Sequence, residues 1–378
     1  MTQPDFTEHR SMLSNSVADF ARGADLARVR KLREGNPECD RKVWTQMAEL
    51  GWLGVLAPEA SGGMGLKLGD MAIVAQGLAR ALTPEPLTAA AVLAVRVLAD
   101  SRNDVLKGML LEGLVSGEIL PAVAWQEEAG SLDVNNINVQ ATPAGDGFRV
   151  NGSKRFIMGA TSADGYIVSA RSGQELVLLS VPRDTPGATL QFDALADGRQ
   201  SGTLTLTNVI VPKAQVLNSG AAAAESLARA IDHTAAIIGA ELCGIMSRSL
   251  EITLDYLKTR VQFGKAIGSF QALQHRAVDL YIQQELSSAV LGECLAILDG
   301  EPDAKTRAAT ASRVKARCTD AALLITRQSI QMHGAIGYTE DCDVGLYVKR
   351  AMVLAAWLGN GHAHRRRYAK TEILEGAL

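Results

Sequence analysis

The sequence predicts an α+β protein in which a helical segment, a strand-rich segment and a second helical segment follow one another. Three observations carry this. Residues 1–118 repeat apolar positions at helical spacing, residues 119–222 break into short alternating runs, and residues 223–378 return to long helical periods with few breakers.

In the first zone Phe6, Leu13, Val17, Phe20 and Ala21 recur on one helical face, as do Val43, Met47, Leu50 and Leu53. Gly51 and Gly54 are expected to close that second helix. Pro58 to Gly65 (PEASGGMG) reads as a glycine-rich turn, and helical periodicity resumes from Asp70. In the middle zone, Gly147 to Gly152, Gly165 to Ala170 and Leu204 to Pro212 read as strands between Gly, Asp and Pro, which suggests a small β-barrel or sandwich. Ala221 to Ala224 reads as a hinge or a helix start.

Composition narrows the function classes. Hydrophobic residues make up 47% and charged residues 21%, as in ordinary soluble globular chains. A net charge of -3 and only 4% aromatics argue against a nucleic-acid partner. The five cysteines, Cys39, Cys243, Cys294, Cys318 and Cys342, are scattered and form no C-x-x-C, so neither disulfides nor zinc is expected. A reducing cytoplasm suits them. Met1 to Phe6 is polar, unlike a secretory signal. Apolar stretches such as Ala89 to Val95 end at a charge, here Arg96, well short of the roughly 18 residues that span a bilayer. No G-x-G-x-x-G follows a strand, so no Rossmann site is indicated.

Several motifs in order resemble one family. They are Leu50-Gly51-Trp52-Leu53-Gly54 with Pro58-Glu59 and Gly62 to Gly65, Asn151-Gly152-Ser153-Lys154, Asn208 to Pro212, Arg260-Val261-Gln262-Phe263-Gly264-Lys265 running on to Ala272, and Gln331 to Thr339 (QMHGAIGYT). Together they resemble the acyl-CoA dehydrogenases over nearly the whole chain. The resemblance implies that family's fold: an N-terminal helical domain (1–118), a middle β-barrel or sandwich domain (119–222) and a C-terminal four-helix bundle (223–378).

It also implies FAD as cofactor. In the family the last two segments reach a flavin held mainly by a neighbouring subunit. The residues suit that task. Arg260 offers a planar fork of donors beside a glycine-rich turn, fit for a pyrophosphate. Phe263 supplies an apolar face, and Gln262 and Gln271 polar edges. Gly334, Ala335 and Gly337 form a small-residue turn after Gln331 that lets a cofactor come close. The expected cofactor contacts are therefore Arg260, Gln262, Phe263, Ile267, Phe270, Gln271, Gln331, Gly334 and Ala335. The family has two glycines where this chain has Gly334-Ala335.

The other half of the site departs from the family. Acyl-CoA dehydrogenation needs a carboxylate to remove the α-proton, and the family places a glutamate 27 residues after the signature glutamine. Here that position is Leu358, which cannot accept a proton. Some members place the glutamate instead where this chain has Thr234, with Asp232 two residues away. The family's T-E-P-x-x-G-S-D strand is matched by Trp125 to Leu132 (WQEEAGSL), without the proline and the final aspartate. Its W-I-T becomes Phe156-Ile157-Met158, so the hydroxyl beside the flavin ring is lost.

The resemblance is thus to the base-lacking small subunits of heteromeric α2β2 acyl-CoA dehydrogenases. It implies no catalytic residue in this chain, a partner subunit that carries the glutamate, an acyl-CoA substrate (steroid side-chain or dicarboxylic), an electron-transfer acceptor, and a trans-2-enoyl-CoA product. Two other readings are a homo-oligomeric enzyme with a relocated base, Asp232 or Glu127, and a non-catalytic scaffold subunit. The basic run His362 to Lys370 reads as the solvated face of a terminal helix. His275 and His333 read as packed or solvent-facing, and no metal site is expected.

Overall fold

The computed structural model describes residues 6–24, 26–34 and 39–372. The polar start, Met1 to Asp5, lies outside them. Helices α1 (Phe6–Arg22), α2 (Leu26–Lys31), α3 (Arg41–Glu49) and α4 (Leu68–Arg80) come first. A π-helical stretch, Thr88–Ala94, continues as α5 (Val95–Ala99), and α6 (Asp104–Val115) follows. Eight strands come next: β1 (Pro121–Ala124), β2 (Gln140–Ala144), β3 (Gly147–Met158), β4 (Gly165–Ser172), β5 (Glu175–Pro182), β6 (Ala188–Ala194), β7 (Gln200–Val211) and β8 (Val216–Ser219). Then come α7 (Gly220–Thr259), a two-strand hairpin of β9 (Val261–Gln262) and β10 (Lys265–Ala266), α8 (Gln271–Asp299), α9 (Ala304–His333), α10 (Val344–Ala356) and α11 (Gly361–Glu372).

The helix starts follow from short polar caps. Asp40 accepts from Lys42 N (2.9 Å), Asn103 from Leu106 N (3.1 Å) and Asp303 from Thr306 N (2.9 Å), each occupying an amide that the first turn leaves unpaired. Gly51 ends α3 as expected, but Gly54 lies in the short 3₁₀ turn beyond it, Trp52–Gly54. Ala221 to Ala224 is the first turn of α7, a helix start.

The chain gathers into two compact units. One holds residues 32–71 and 84–234. Its strands run in the order β6-β7-β3-β2-β4-β5-β8, with β1 paired to β4. Pairing is antiparallel except at β1–β4 and at the single β2–β4 link, Gln140↔Arg171. β1 lies against β3, and β5 against β7, without pairing, so the two halves of the sheet fold toward each other. The π-helical stretch is wholly buried and lies against β1.

The other unit holds α1, α2, residues 72–83 and the chain from residue 235. α9 is its centre, with α8, α10 and α11 against it. α7 meets α9 where the Cys243 and Cys318 sulfurs come within 3.8 Å. α7 also approaches α4 closely at Gly244, where a Cβ would stand 2.2 Å from the Gln76 carbonyl oxygen. Tyr347 Oη donates to the Arg80 carbonyl (2.7 Å), and Arg350 donates to those of Thr83 and Leu82, which ties α10 to the end of α4. All five cysteines are free. No helix among the described residues is long and apolar enough to cross a membrane.

Candidate functional site

Every expected cofactor contact falls in the unit built around α9. Arg260 leaves α7 with its amide still bonded to Tyr256 O (2.9 Å), and its carbonyl accepts from Ile267 N (2.9 Å). Those two bonds close the base of the β9–β10 hairpin, in which Val261 faces Ala266 and Gln262 faces Lys265. The turn residues Phe263 and Gly264 both have positive φ, 56° and 77°, as a two-residue hairpin turn demands. Phe263 therefore sits in a conformation that costs an L-residue energy, and its ring is 91% exposed. Phe270 stands edge-on to it (centroids 6.1 Å apart), and the Lys265 ammonium lies over the Phe270 ring, 4.4 Å from its centroid. The expected glycine-bracketed turn is thus a hairpin followed by a 3₁₀ turn, Ile267–Ser269. Gly268 is needed there because a Cβ would lie 2.8 Å from the Leu257 carbonyl oxygen.

The second segment ends α9. Gly334 takes φ 69°, ψ -144°, and opens a 3₁₀ turn, Gly334–Tyr338. A Cβ at Gly334 would meet nothing within 4 Å, so the glycine serves the backbone angle and leaves open space in front of it. The two segments are joined. The Tyr256 ring stacks on His333 with centroids 4.4 Å apart, and Tyr256 Oη donates to the His333 carbonyl (3.3 Å). His333 Nδ1 donates to Ser329 O (2.8 Å), and burial pushes this imidazole's pKa down from the ordinary histidine value.

Arg260, Gln262, Phe263, Gln271, Gln331, Gly334 and Ala335 are exposed, while Ile267 and Phe270 are half-buried. Among the described residues Arg260, Gln271 and Gln331 find no side-chain partner. The chain leaves these donors unspent beside an open glycine turn, which fits a polar cofactor such as FAD.

Position 358 is different. Leu358 is 1% exposed and has φ 54°, and its segment is pinned from both sides. Lys315 Nζ, on α9, donates to the carbonyls of Leu354 (2.8 Å), Ala355 (3.3 Å) and Gly359 (3.0 Å). It satisfies orphan carbonyls at the end of α10, where the helix dipole favours a cation. Burial nevertheless brings its pKa down to about 7. From the first turn of α11, His364 Nε2 donates to the Leu358 carbonyl (2.8 Å), and its Nδ1 meets Ser312 Oγ (3.3 Å). Burial and then the Lys315 charge push His364 down to about 3. His364 is therefore a buried, neutral member of the basic run, whose Arg365 and Arg366 are exposed.

In the strand-bearing unit, Trp125 to Leu132 is not the strand expected: β1 ends at Ala124. Gln126 Nε2 donates to the carbonyls of Glu128 (3.0 Å) and Ser131 (3.2 Å), which bends the segment into a loop. Glu127 is committed to structure. It accepts from Lys154 Nζ (2.7 Å), Asn138 N (2.7 Å) and Val139 N (3.1 Å). Burial raises its pKa, but Lys154 and the two amides outweigh that and hold it below the usual carboxylate range. This suits an anchored anion and not a proton acceptor. Asp232 is completely buried in α7 and is not a carboxylate without partners, and the Thr234 hydroxyl is spent on Ala230 O (2.6 Å).

Phe156 has φ 58° and sits in a bulge, where β3 slips by one residue against β7 between Lys154 and Ile157. The Arg155 amide donates to Gln126 O (2.8 Å), and its guanidinium lies over the Phe156 ring at 4.8 Å. Met158 is buried at the end of the strand. Sequence reading missed Lys315, Tyr256 and the role of Glu127. Lys315 carried no signal of its own, since Arg313 and Arg317 stand two residues away on either side and the stretch reads as a charged helix face.

Three family models match the chain: acyl-CoA dehydrogenase N-terminal domain over residues 7–118, middle domain over 122–209 and C-terminal domain over 219–373. The chain is 30% identical to acyl-CoA dehydrogenase IpdE2 of Mycolicibacterium smegmatis, over 96% of this chain and 98% of the relative. A solved structure described as the Tcur3481-Tcur3483 steroid ACAD G363A variant is 29% identical, with TM-score 0.85 and 98% of each chain covered. The ChsE4-ChsE5 complex from Mycobacterium tuberculosis, at 24% identity, shares the fold with TM-score 0.89 over 99% of each chain.

Proposed function

The chain belongs to the FAD-dependent acyl-CoA dehydrogenase family, and from that membership we propose that it is a subunit lending flavin contacts to a catalytic partner. The partner is a second acyl-CoA dehydrogenase chain carrying the glutamate. The pair converts a bulky acyl-CoA, steroid side-chain or dicarboxylic, to its trans-2-enoyl-CoA and passes electrons to an electron-transfer acceptor. Names that pair two chains, among them a steroid dehydrogenase, support this reading.

One observation carries it. The donors that reach outward, Arg260, Gln271 and Gln331, are exposed and unspent, while position 358 is a buried leucine in a pinned segment. Bound FAD would supply the acceptor for the β-hydride. Arg260 would hold its pyrophosphate, Phe263 would cover an apolar face, and the Gly334-Ala335 turn would let its backbone come close. The α-proton has no acceptor at Leu358 or Thr234, and Glu127 is held as an anion by Lys154. A carboxylate of the partner therefore takes the proton. The free cysteines suit a cytoplasmic complex.

The test is expression of the chain alone and together with a homologous chain that has an intact W-I-T and glutamate. The expected outcome is a colourless, inactive protein alone and a yellow, active complex. A yellow, active homo-oligomer overturns the proposal.

A further inference from the structure

We propose that Tyr256 and His333 form a brace that sets the distance between the two cofactor-contacting segments, the Arg260 hairpin and the Gln331–Ala335 turn. This inference rests on the flavin reading above. The segments are far apart in sequence, and each hangs from the end of a long helix. Tyr256 stands one turn before Arg260 and accepts the Arg260 amide on its carbonyl. Its hydroxyl occupies the carbonyl of His333, the last residue of α9, and its ring lies flat on the imidazole.

His333 is fixed in turn. Its Nδ1 proton is committed to Ser329 one turn back, so the ring cannot rotate without losing that bond. The Gly334 turn starts at the next peptide, and Gly337 closes tightly over the same helix end, where a Cβ would lie 3.0 Å from that of His333. One residue thus holds Arg260 through its main chain and the Gly334 turn through its side chain. A cofactor gripped at two points gains from their spacing being set before it binds. Tyr256 and His333 themselves need not touch it, so both are positioning residues.

The experiment uses the co-expressed complex, stripped of flavin and titrated with FAD, with melting temperature read in parallel. Tyr256→Leu removes ring and hydroxyl, Tyr256→Phe only the hydroxyl, and His333→Phe keeps an aromatic stack. The expected result is FAD binding weakened about tenfold by Tyr256→Leu and less by the two conservative variants. Combining Tyr256→Leu with Gln331→Ala should weaken binding by less than the product of the single effects, because the brace acts through that segment. Unchanged FAD affinity in Tyr256→Leu, with or without a lower melting temperature, overturns the brace, as does a fully multiplicative double variant. Arg260→Ala separates the two levels. If it leaves FAD binding intact, the flavin reading itself fails; if it weakens binding while Tyr256→Leu does not, only the brace fails.

Discussion

Lys154 and Glu127 face each other at 2.7 Å out of reach of solvent, with side-chain exposures of 0% and 7%. An ion pair alone would raise the lysine, yet burial outweighs the carboxylate and brings Lys154 down to about 8. Ser169 Oγ (2.9 Å) and Trp125 O (3.1 Å) complete its coordination. Glu127→Gln should therefore destabilise the fold by about 3–5 kcal/mol, because it strands a buried ammonium. Urea unfolding measures this. A Glu127→Gln protein of wild-type stability that had lost only activity would instead restore Glu127 as a candidate base.

Lys315 sets an alkaline dependence. Its folded pKa of about 7 lies below the ordinary 10.5. Between those values the unfolded lysine keeps a proton that the folded one releases, so unfolding free energy should rise with pH across that window. Lys154 adds in the same direction above about pH 8. Lys315→Met should flatten the lower part of the rise. It should also cost about 1–3 kcal/mol for the carbonyls left without a donor. Urea melts at several pH values read both effects.

His364 sets the acid side. Its folded pKa of about 3 lies below the ordinary 6.5, so the stabilisation is complete above 6.5 and is lost as pH falls toward 3. His364→Gln should shrink the acid-induced loss between those values. An unchanged acid limb would show that the imidazole is not buried as described.

Arg260 is exposed and makes no side-chain bond within the described residues. Arg260→Ala should shift stability by less than about 0.5 kcal/mol. In the complex, the same change should lower flavin content, and Arg260→Lys should restore it only in part, since a lysine lacks the planar fork. Absorbance per mole of complex reads the outcome.

Phe263 offers a contrast between stability and function. Phe263→Gly relieves a positive φ, worth about 1–2 kcal/mol, and forfeits an edge contact with Phe270 worth about 0.5–1.5 kcal/mol. The net change in melting temperature should be small or upward, while flavin retention falls. A marked loss of stability would mean that the ring packs where it is described as exposed.

Much of the fold was legible because hydrophobic periodicity is local. The helical periods of residues 223–378 became long helices, and the alternating runs at Gly165 and Leu204 became β4 and β7. The hairpin was less legible, since a phenylalanine at positive φ announces no turn by itself. The stretch from Trp125 to Leu132 misled because its likeness to a strand motif concealed Gln126, whose side chain folds the backbone into a loop.

What the sequence by itself determined is chemical identity: an arginine at 260, a leucine at 358, no hydroxyl at 158. No packing can make Leu358 a base, so the lack of a proton acceptor at that one position follows from the residue type alone. Tertiary structure decided what the remaining groups are free to do. It spent Glu127 on Lys154, pinned Leu358 through His364 and its neighbours Leu354 and Gly359 through Lys315, and joined Tyr256 to His333 while leaving Arg260 unspent. Most of these partners lie tens of residues apart, and a burial or an ion pair at that range depends on how helices and strands meet, which no local pattern records.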